Sequence, residues 1–253
     1  MCRRRSLLIR CRSVTKTYRQ GTRTVEALRG LDLDIPQGEF AAIMGQSGSG
    51  KSTLLHLLSS LDRPDSGTIE IADQHIETLT ESQATLFRRR QIGIVFQQFN
   101  LIPTLTALEN VELPGLLAGE PLSKLRTRAE ELLALLGLSD RATHRPDALS
   151  GGEQQRVAIA RAMLFSPPVL FADEPSGNLD SANASKLWAL LQTLVRDAAG
   201  AMTIVMVTHE PAAAAYAKSV HVLADGRLTH TFATEGLDAT GVAARYQECV
   251  RKA

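Results

Sequence analysis

Apolar residues recur along this chain with two different periods. From Leu7 to about Asp34 they alternate with Arg, Thr and Gly, the pattern of antiparallel strands covered on one face. Continuous apolar runs follow. Phe40-Ala41-Ala42-Ile43-Met44, Val169–Ala172 and Thr203–Val207 are short and end in Gly, Asp-Glu or Thr-His, as strands buried on both faces do. Gly67–Ala72 reads as one more short strand. Helical spacing marks Lys51 to Leu61, Leu125 to Leu136 and Gly151 to Leu164, within a stretch from about Pro103 to Leu164 that is helical throughout. Apolar strands alternating with helices predict an α/β fold with a mostly parallel sheet. The early strands form an N-terminal antiparallel β subdomain, and the helical middle, about 98–164, an inserted α-helical subdomain. Residues 7–235 read as one domain and 236–253 as a C-terminal tail with no specific signal. No repeat of about 20–50 residues and no low-complexity tract is present.

Composition narrows the classes without choosing among them. The 253 residues suffice for one large domain or a core with an inserted lobe. Such a chain buries roughly 70–75% of its unfolded surface and needs no staples. A hydrophobic content of 44% and a charged content of 22% are ordinary for a soluble globular protein. The net charge of +1 gives no reason to expect nucleic acid or an anionic membrane. Cys2, Cys11 and Cys249 lie near the two ends without metal-ligand spacing, which implies free thiols in a reducing compartment. No stretch reaches the roughly 18 apolar residues of a membrane helix. The basic start holds only Leu7, Leu8 and Ile9 before Arg10, short of the about 7–15 apolar residues of a signal peptide. A cytoplasmic location is expected, with any membrane role coming through a partner.

Gly45-Gln46-Ser47-Gly48-Ser49-Gly50-Lys51-Ser52 fits GxxxxGKS between a predicted strand and a predicted helix, the context this loop needs. Its glycines let backbone N–H groups turn inward on phosphates, and the helix after it adds the positive end of its dipole. This stretch resembles the loop of the P-loop NTPases, which implies a P-loop NTPase (RecA-like) core. ATP is expected on Gly45, Gln46, Ser47, Gly48, Ser49, Gly50, Lys51, Ser52 and Thr53, with Lys51 on the outer phosphates and Ser52 on Mg²⁺. Asp173 and Glu174 end an apolar strand, and ligands of open parallel sheets lie at the carboxyl ends of strands. Asp173 is expected to hold Mg²⁺, and Glu174 to act as the base that polarises the attacking water.

A third stretch is Leu149-Ser150-Gly151-Gly152-Glu153. Ser150 and Glu153 fit the capping box S-x-x-E, and the glycines leave N–H groups open to an anion, so both readings hold together. The run Arg88-Arg89-Arg90 has no aromatic platform beside it and reads as a solvated face.

With Gln154-Gln155-Arg156-Val157-Ala158-Ile159-Ala160-Arg161-Ala162 after the third stretch, the three together closely resemble the ATP-binding-cassette (ABC) ATPases over nearly the whole chain. In that family two cassettes pair head to tail, with two ATPs between the phosphate loop of one and the signature of the other. The resemblance therefore implies a second ATPase subunit, as a homodimer, with Leu149, Ser150, Gly151, Gly152 and Glu153 acting in trans. It also implies roles for smaller motifs. Gln97, in Val95-Phe96-Gln97-Gln98-Phe99, matches the Q-loop glutamine that senses Mg²⁺ and the γ-phosphate. Asn178-Leu179-Asp180 matches the D-loop, His209 the switch histidine, and Tyr18 the aromatic that stacks on adenine. Phe99, Leu101, Ile102, Pro103 and Leu105 either belong to the core of the helical lobe or line the groove that receives a permease's cytoplasmic helix.

Three phrases look like the lipoprotein-releasing and macrolide-exporter ATPase group: Phe96 to Thr106, Glu109 to Pro114, and Ser176-Gly177-Asn178-Leu179-Asp180. That likeness implies a permease of few membrane helices with a large extracytoplasmic domain, moved by ATP in mechanotransmission. Ser59-Ser60 and Gln46 depart from the group's usual residues. The alternative is a soluble, non-transport ABC ATPase acting on nucleic acid or ribosomes. One cassette without a coiled coil favours the transporter subunit, and no nucleic acid is expected.

Overall fold

Two sheets share the chain. The computed structural model describes residues 6–21, 23–197 and 202–252. In the antiparallel sheet, β1 (Leu7–Gln20) pairs with β2 (Arg23–Pro36) and with β4 (Ser66–Ile71), which carries the short β5 (Gln74–His75). The six-stranded sheet is built from β3 (Phe40–Met44), β6 (Ile92–Val95), β7 (Val169–Asp173), β8 (Thr203–Thr208), β9 (Ser219–Ala224) and β10 (Arg227–Ala233). Its order is β10-β9-β3-β8-β7-β6, and every pairing is parallel except the β9–β10 hairpin.

β3 is buried along its whole length because its two faces enter different cores. Ala41 and Ile43 meet Leu54, Leu57 and Leu58 of α1 (Lys51–Leu58), together with Ile9, Leu31 and Ile35 of the antiparallel sheet. Phe40, Ala42 and Met44 share the other core with Val157 and Ile159 of α5 (Gly151–Ala162) and with Leu191 of α6 (Ser181–Asp197). Side chains alternate across a strand, so five apolar residues in a row serve both layers.

The helical middle holds α3 (Ala107–Leu117), α4 (Leu122–Leu135) and α5, preceded by α2 (Glu81–Gln91). α2, α3 and α5 each begin with a complete capping box, formed by Thr80 with Gln83, Thr106 with Glu109, and Ser150 with Glu153. α1 stops at Leu58 rather than Leu61, since Ser60 takes a left-handed φ of 53°. The basic run is not a plain solvated face. Arg88 donates to Ser60 O at 2.6 Å, and Arg90 pairs with Glu120 while its guanidinium lies 4.7 Å from the Phe165 ring. After the short α7 (Pro211–Ala214), the stretch expected to be a tail contains α8 (Ala239–Arg251). Asp238 caps α8, and its Val242 and Cys249 join the core that holds Val220 and Val222 of β9. Cys11 and Cys249 are free and buried, and burial pushes the Cys11 thiol up to about 12; Cys2 lies outside the described residues. Among the described residues no helix is long and apolar enough to cross a membrane.

A polar chain around the buried Glu39 and His221 crosses the amino end of β3. Ser219 Oγ donates to Glu39 Oε1 at 2.6 Å and lies 3.2 Å from His221 Nε2, while His221 Nδ1 lies 3.2 Å from Thr231 Oγ1. Ser219 has one proton and gives it to Glu39, so Nε2 of His221 carries a proton and Nδ1 accepts from Thr231. The neutral imidazole is satisfied, and burial depresses its pKa to about 4. An unfolded histidine titrates near 6.5, so between these values the unfolded chain binds the extra proton and stability falls as pH falls. Urea unfolding should show this histidine costing about 2 kcal/mol between about pH 7 and pH 5. His221→Gln should lack that increment; an unchanged slope would count against a buried neutral imidazole.

Candidate functional site

The carboxyl end of β3 passes directly into a loop closed to side chains at Gly45 and Gly50. A Cβ at Gly45 would lie 2.3 Å from Leu223 O and 2.4 Å from Ser49 Oγ. Gly48 and Gly50 are left-handed, at φ 80° and 104°, and a Cβ at Gly50 would lie 2.5 Å from Ala27 O. Gly50 is the N-cap of α1 and no side chain caps the helix, so its first N–H groups stay available. Lys51 Nζ reaches back across the loop to Gly45 O at 2.8 Å and Gln46 O at 2.9 Å. The Ser49 hydroxyl is buried without a partner, and Ser49 O accepts from Gly226 N at 3.0 Å.

This loop floors a cleft of about 630 Å³. Ser47, Gly48, Gly50, Lys51, Ser52 and Thr53 line it from below, Tyr18 from one side, and Glu174 and His209 from another. The Tyr18 hydroxyl donates to Asp62 Oδ2 at 2.9 Å, and Lys16 Nζ sits 5.2 Å from its ring centre. Glu174 Oε1 and His209 Nδ1 are 2.9 Å apart. Glu174 holds a left-handed φ of 42°, uncommon for a residue with a side chain and of a kind that collects at functional sites. Its N–H is fixed by Val207 O at 2.9 Å. Burial raises the pKa of Asp173, with the Glu174 charge adding to it, and burial lowers that of Lys51 against the pull of Glu174 and Asp173.

The remaining expected residues stand outside the cleft lining. Gln97 is exposed and its side chain rests on Gly177, where a Cβ would lie 2.6 Å from Gln97 Nε2. Asn178 Nδ2 donates to Gln97 O at 2.9 Å. Leu149 is buried, and Ser150 and Glu153 close their capping box beside Arg141, whose Nε donates to Glu153 Oε1 at 2.9 Å. The Ser150 N–H and Arg141 hold the Glu153 carboxyl down at about 2. A Cβ at Gly151 would touch Leu179 and Phe99, at 3.4 and 3.6 Å, so this turn lies against the 97–99 and 178–179 segments.

Three further contributors shape the site. Val25, Glu26 and Ala27 of β2 form a wall of the cleft. The Asp225-Gly226 turn braces the loop through Ser49; an Asp-Gly pair between alternating runs is a hairpin signal, and it was open to view. Arg161 and Asn178 bind backbone carbonyls of the segment that carries Gln97.

Known proteins resemble this chain in sequence and in fold. The family described as ABC transporter matches residues 28–177. An uncharacterized ABC transporter ATP-binding protein of Methanocaldococcus jannaschii, MJ1508, is 46% identical over 221 residues, covering 87% of this chain and 97% of that protein. The macrolide export ATP-binding/permease protein MacB of Rhodopseudomonas palustris (strain HaA2) is 47% identical over 218 residues, 86% of this chain. The chain spans only about a third of the length of that relative, 33%. Among solved structures, the dimeric post-hydrolysis state of the ATP-binding cassette MJ0796 bound to ADP and Pi superposes with a TM-score of 0.81 at 42% identity. The match covers 90% of this chain and all, 100%, of that one.

Two substitutions test the loop and the cap. Gly50→Ala should destabilise the protein by at least ~2 kcal/mol, from the left-handed backbone and the clash with Ala27 O. Ser150→Ala, which removes an N-cap, should cost about 1 kcal/mol. Denaturant melts measure both, and a Gly50→Ala protein as stable as wild type would refute the close-packed loop.

Proposed function

The chain belongs to the ABC transporter family, and we propose that it is the ATP-hydrolysing subunit that powers a membrane permease. The observation that carries this reading is one cleft that joins an uncapped helix start, Lys51 and the Glu174–His209 pair. Around a nucleotide, Tyr18 stacks on the base, and the N–H groups from Gly45 to Thr53 wrap the phosphates. Lys51 exchanges its two loop carbonyls for the outer phosphates. The Ser52 hydroxyl, the Asp173 carboxylate and the Gln97 amide oxygen are hard donors suited to Mg²⁺, which when bound offsets phosphate charge. Glu174 takes the proton of the attacking water, and His209 orients that carboxylate and contacts the γ-phosphate.

The signature turn serves a second copy of the chain. Its place outside the cleft lining supports this, as does the dimeric state of the MJ0796 cassette. A head-to-tail homodimer with Leu149–Glu153 acting in trans follows. The remaining partner is an integral permease with a large extracytoplasmic domain, of the lipoprotein-release, macrolide-export or mechanotransmission type. The cassette is then cytoplasmic, on the inner face of the membrane. The exposed Ile102 and Pro103, close after Gln97, supply apolar surface for the permease. Nucleic acid is not a partner.

Glu174→Gln should keep ATP binding, slow hydrolysis by roughly 10²–10⁴ and let the ATP-bound dimer accumulate. Near wild-type turnover would remove Glu174 from the role of base. Trans action is tested by mixing two inactive chains, Lys51→Ala and Ser150→Arg. Their heterodimer has one composite site with neither lesion, so ATPase activity or ATP-dependent dimerisation should return. If the motifs acted within one chain, every site would keep a lesion and mixing would restore neither. Affinity capture from a detergent extract should bring down an integral membrane protein; recovery of nucleic acid instead would overturn the transporter reading.

A further inference from the structure

On the reading that Gln97 serves the reacting phosphate, we infer that Arg161 is a positioning residue for it, clamping its loop to the signature helix. Residues 97–106 form no helix or strand, yet side chains from three other parts of the chain hold the segment by its backbone. Asn178 Nδ2 donates to Gln97 O at 2.9 Å. Arg161 donates from Nη2 to Phe99 O at 3.0 Å and from Nη1 to Asn100 O at 2.6 Å. The fully buried Asn110 accepts from Ile102 N at 2.7 Å and donates to the carbonyls of Ile102, Leu105 and Thr106.

Arg161 is the costly member of this set. It sits in the last turn of α5 and burial lowers its pKa, and among the described residues no carboxylate pairs with it. A cation taken from water without a carboxylate is disfavoured unless its N–H groups find good acceptors. Here the acceptors are two successive carbonyls presented on one side. Successive carbonyls of an extended chain point opposite ways. Asn100, left-handed at φ 51°, turns its own carbonyl to the side of the Phe99 carbonyl. Asparagine tolerates that conformation better than most residues. The planar fork of Arg spans both oxygens, whereas the ammonium of Lys is a single point donor.

The clamp makes two functional segments move together. Ser150 and Arg161 lie at opposite ends of α5, about 16 Å apart at 1.5 Å per residue. A displacement of Gln97 is therefore passed to the far end of the helix that begins with the signature, and the reverse. Arg161 touches neither nucleotide nor metal; it sets where Gln97 stands.

The test is a double-mutant cycle on the full chain, read by ATPase kinetics and amide exchange. Arg161→Met should lower kcat about tenfold with KM for ATP within about twofold, because binding is retained and geometry is lost. Arg161→Lys should recover part of the loss. In a Gln97→Ala background, Arg161→Met should cost less than about twofold more, since residues acting as one unit are not additive. Amides of 97–105 should exchange about tenfold faster in Arg161→Met while those of β3 keep their protection. Fully additive losses, or unchanged exchange in 97–105, overturn the clamp. If Arg161→Met fails to fold, Arg161→Lys carries the same cycle. If Gln97→Ala turns over like wild type, the assignment of Gln97 fails instead. Exchange alone then decides, with unchanged amides overturning the clamp and faster amides keeping it as the tether of that loop.

Discussion

At Gly45 and Gly50 the loop after β3 has no space for a Cβ, and the surrounding backbone keeps it so. Ala27 O is the common stop: it would lie 2.5 Å from a Cβ at Gly50 and 2.7 Å from one at Gly226. Leu223 O closes the loop at Gly45. Backbone meets backbone from three sources, namely the end of β3, strand β2 of the other sheet and the β9–β10 turn. Such contacts do not depend on rotamers, so the loop is as rigid as the sheets that bring it together. The dependence also runs outward. Ala27 reaches the loop only if the antiparallel sheet is docked, and docking is the burial of Ile9, Leu31 and Ile35 against α1 and the Ile43 face of β3. One hydrophobic core is thus upstream of every N–H group the loop offers.

Within that frame the charges are left in tension. Burial moves the pKa of Asp173 up and that of Lys51 down, so the neutral form of each is favoured by the same cause. Lys51 is held by carbonyl dipoles rather than by either carboxylate. A ligand carrying both signs, a polyphosphate with a divalent cation, relieves both at once, which neither charge alone would do. Glu174 adds a backbone constraint. Its left-handed φ is held by Val207 O, and its carboxylate is turned to His209. The strain sits in the backbone of the residue proposed as the base, and the neighbouring strand β8 holds it there.

Much of this was legible because the signals are local. β3, β7 and β8 match their apolar runs almost residue for residue, since a short run closed by glycine or acids leaves little choice of boundary. α2 is a different case: only Ala84 and Phe87 of its 11 residues are buried, too few to show a period. α8 buries only Val242 and Cys249, and the same sparseness hid it in an apparent tail. α6 has a plain helical spacing in Ala184, Leu187, Trp188, Leu191 and Leu194, and lies outside the elements expected from the sequence. For the site, the glycine loop, the Asp-Glu strand end and the capped signature are contiguous and could be read directly. Contacts between Arg161 and Phe99, Asn178 and Gln97, or Ala27 and Gly50 join residues distant in the chain, and no periodicity reports them.

The signature turn raises a last electrostatic question, because a carboxylate lies beside the amides proposed to meet a phosphate. Glu153 stays ionised down to about 2, held by the Ser150 N–H and hydroxyl and by Arg141. A free charge at that point would repel an anion approaching Gly151 and Gly152. Bound in this way, its oxygens are already occupied, Arg141 balances its charge, and the first turn of α5 keeps its positive end. The capping box and the proposed anion site are then one device. The carboxylate fixes the start of the helix while its partners mask its charge, so the glycine amides can face outward. At the other end of α5, Arg161 joins the helix to the loop carrying Gln97. In the proposed head-to-tail dimer the two ends of that helix serve different ATPs: the first turn that of the partner copy, the last turn, through Gln97, its own.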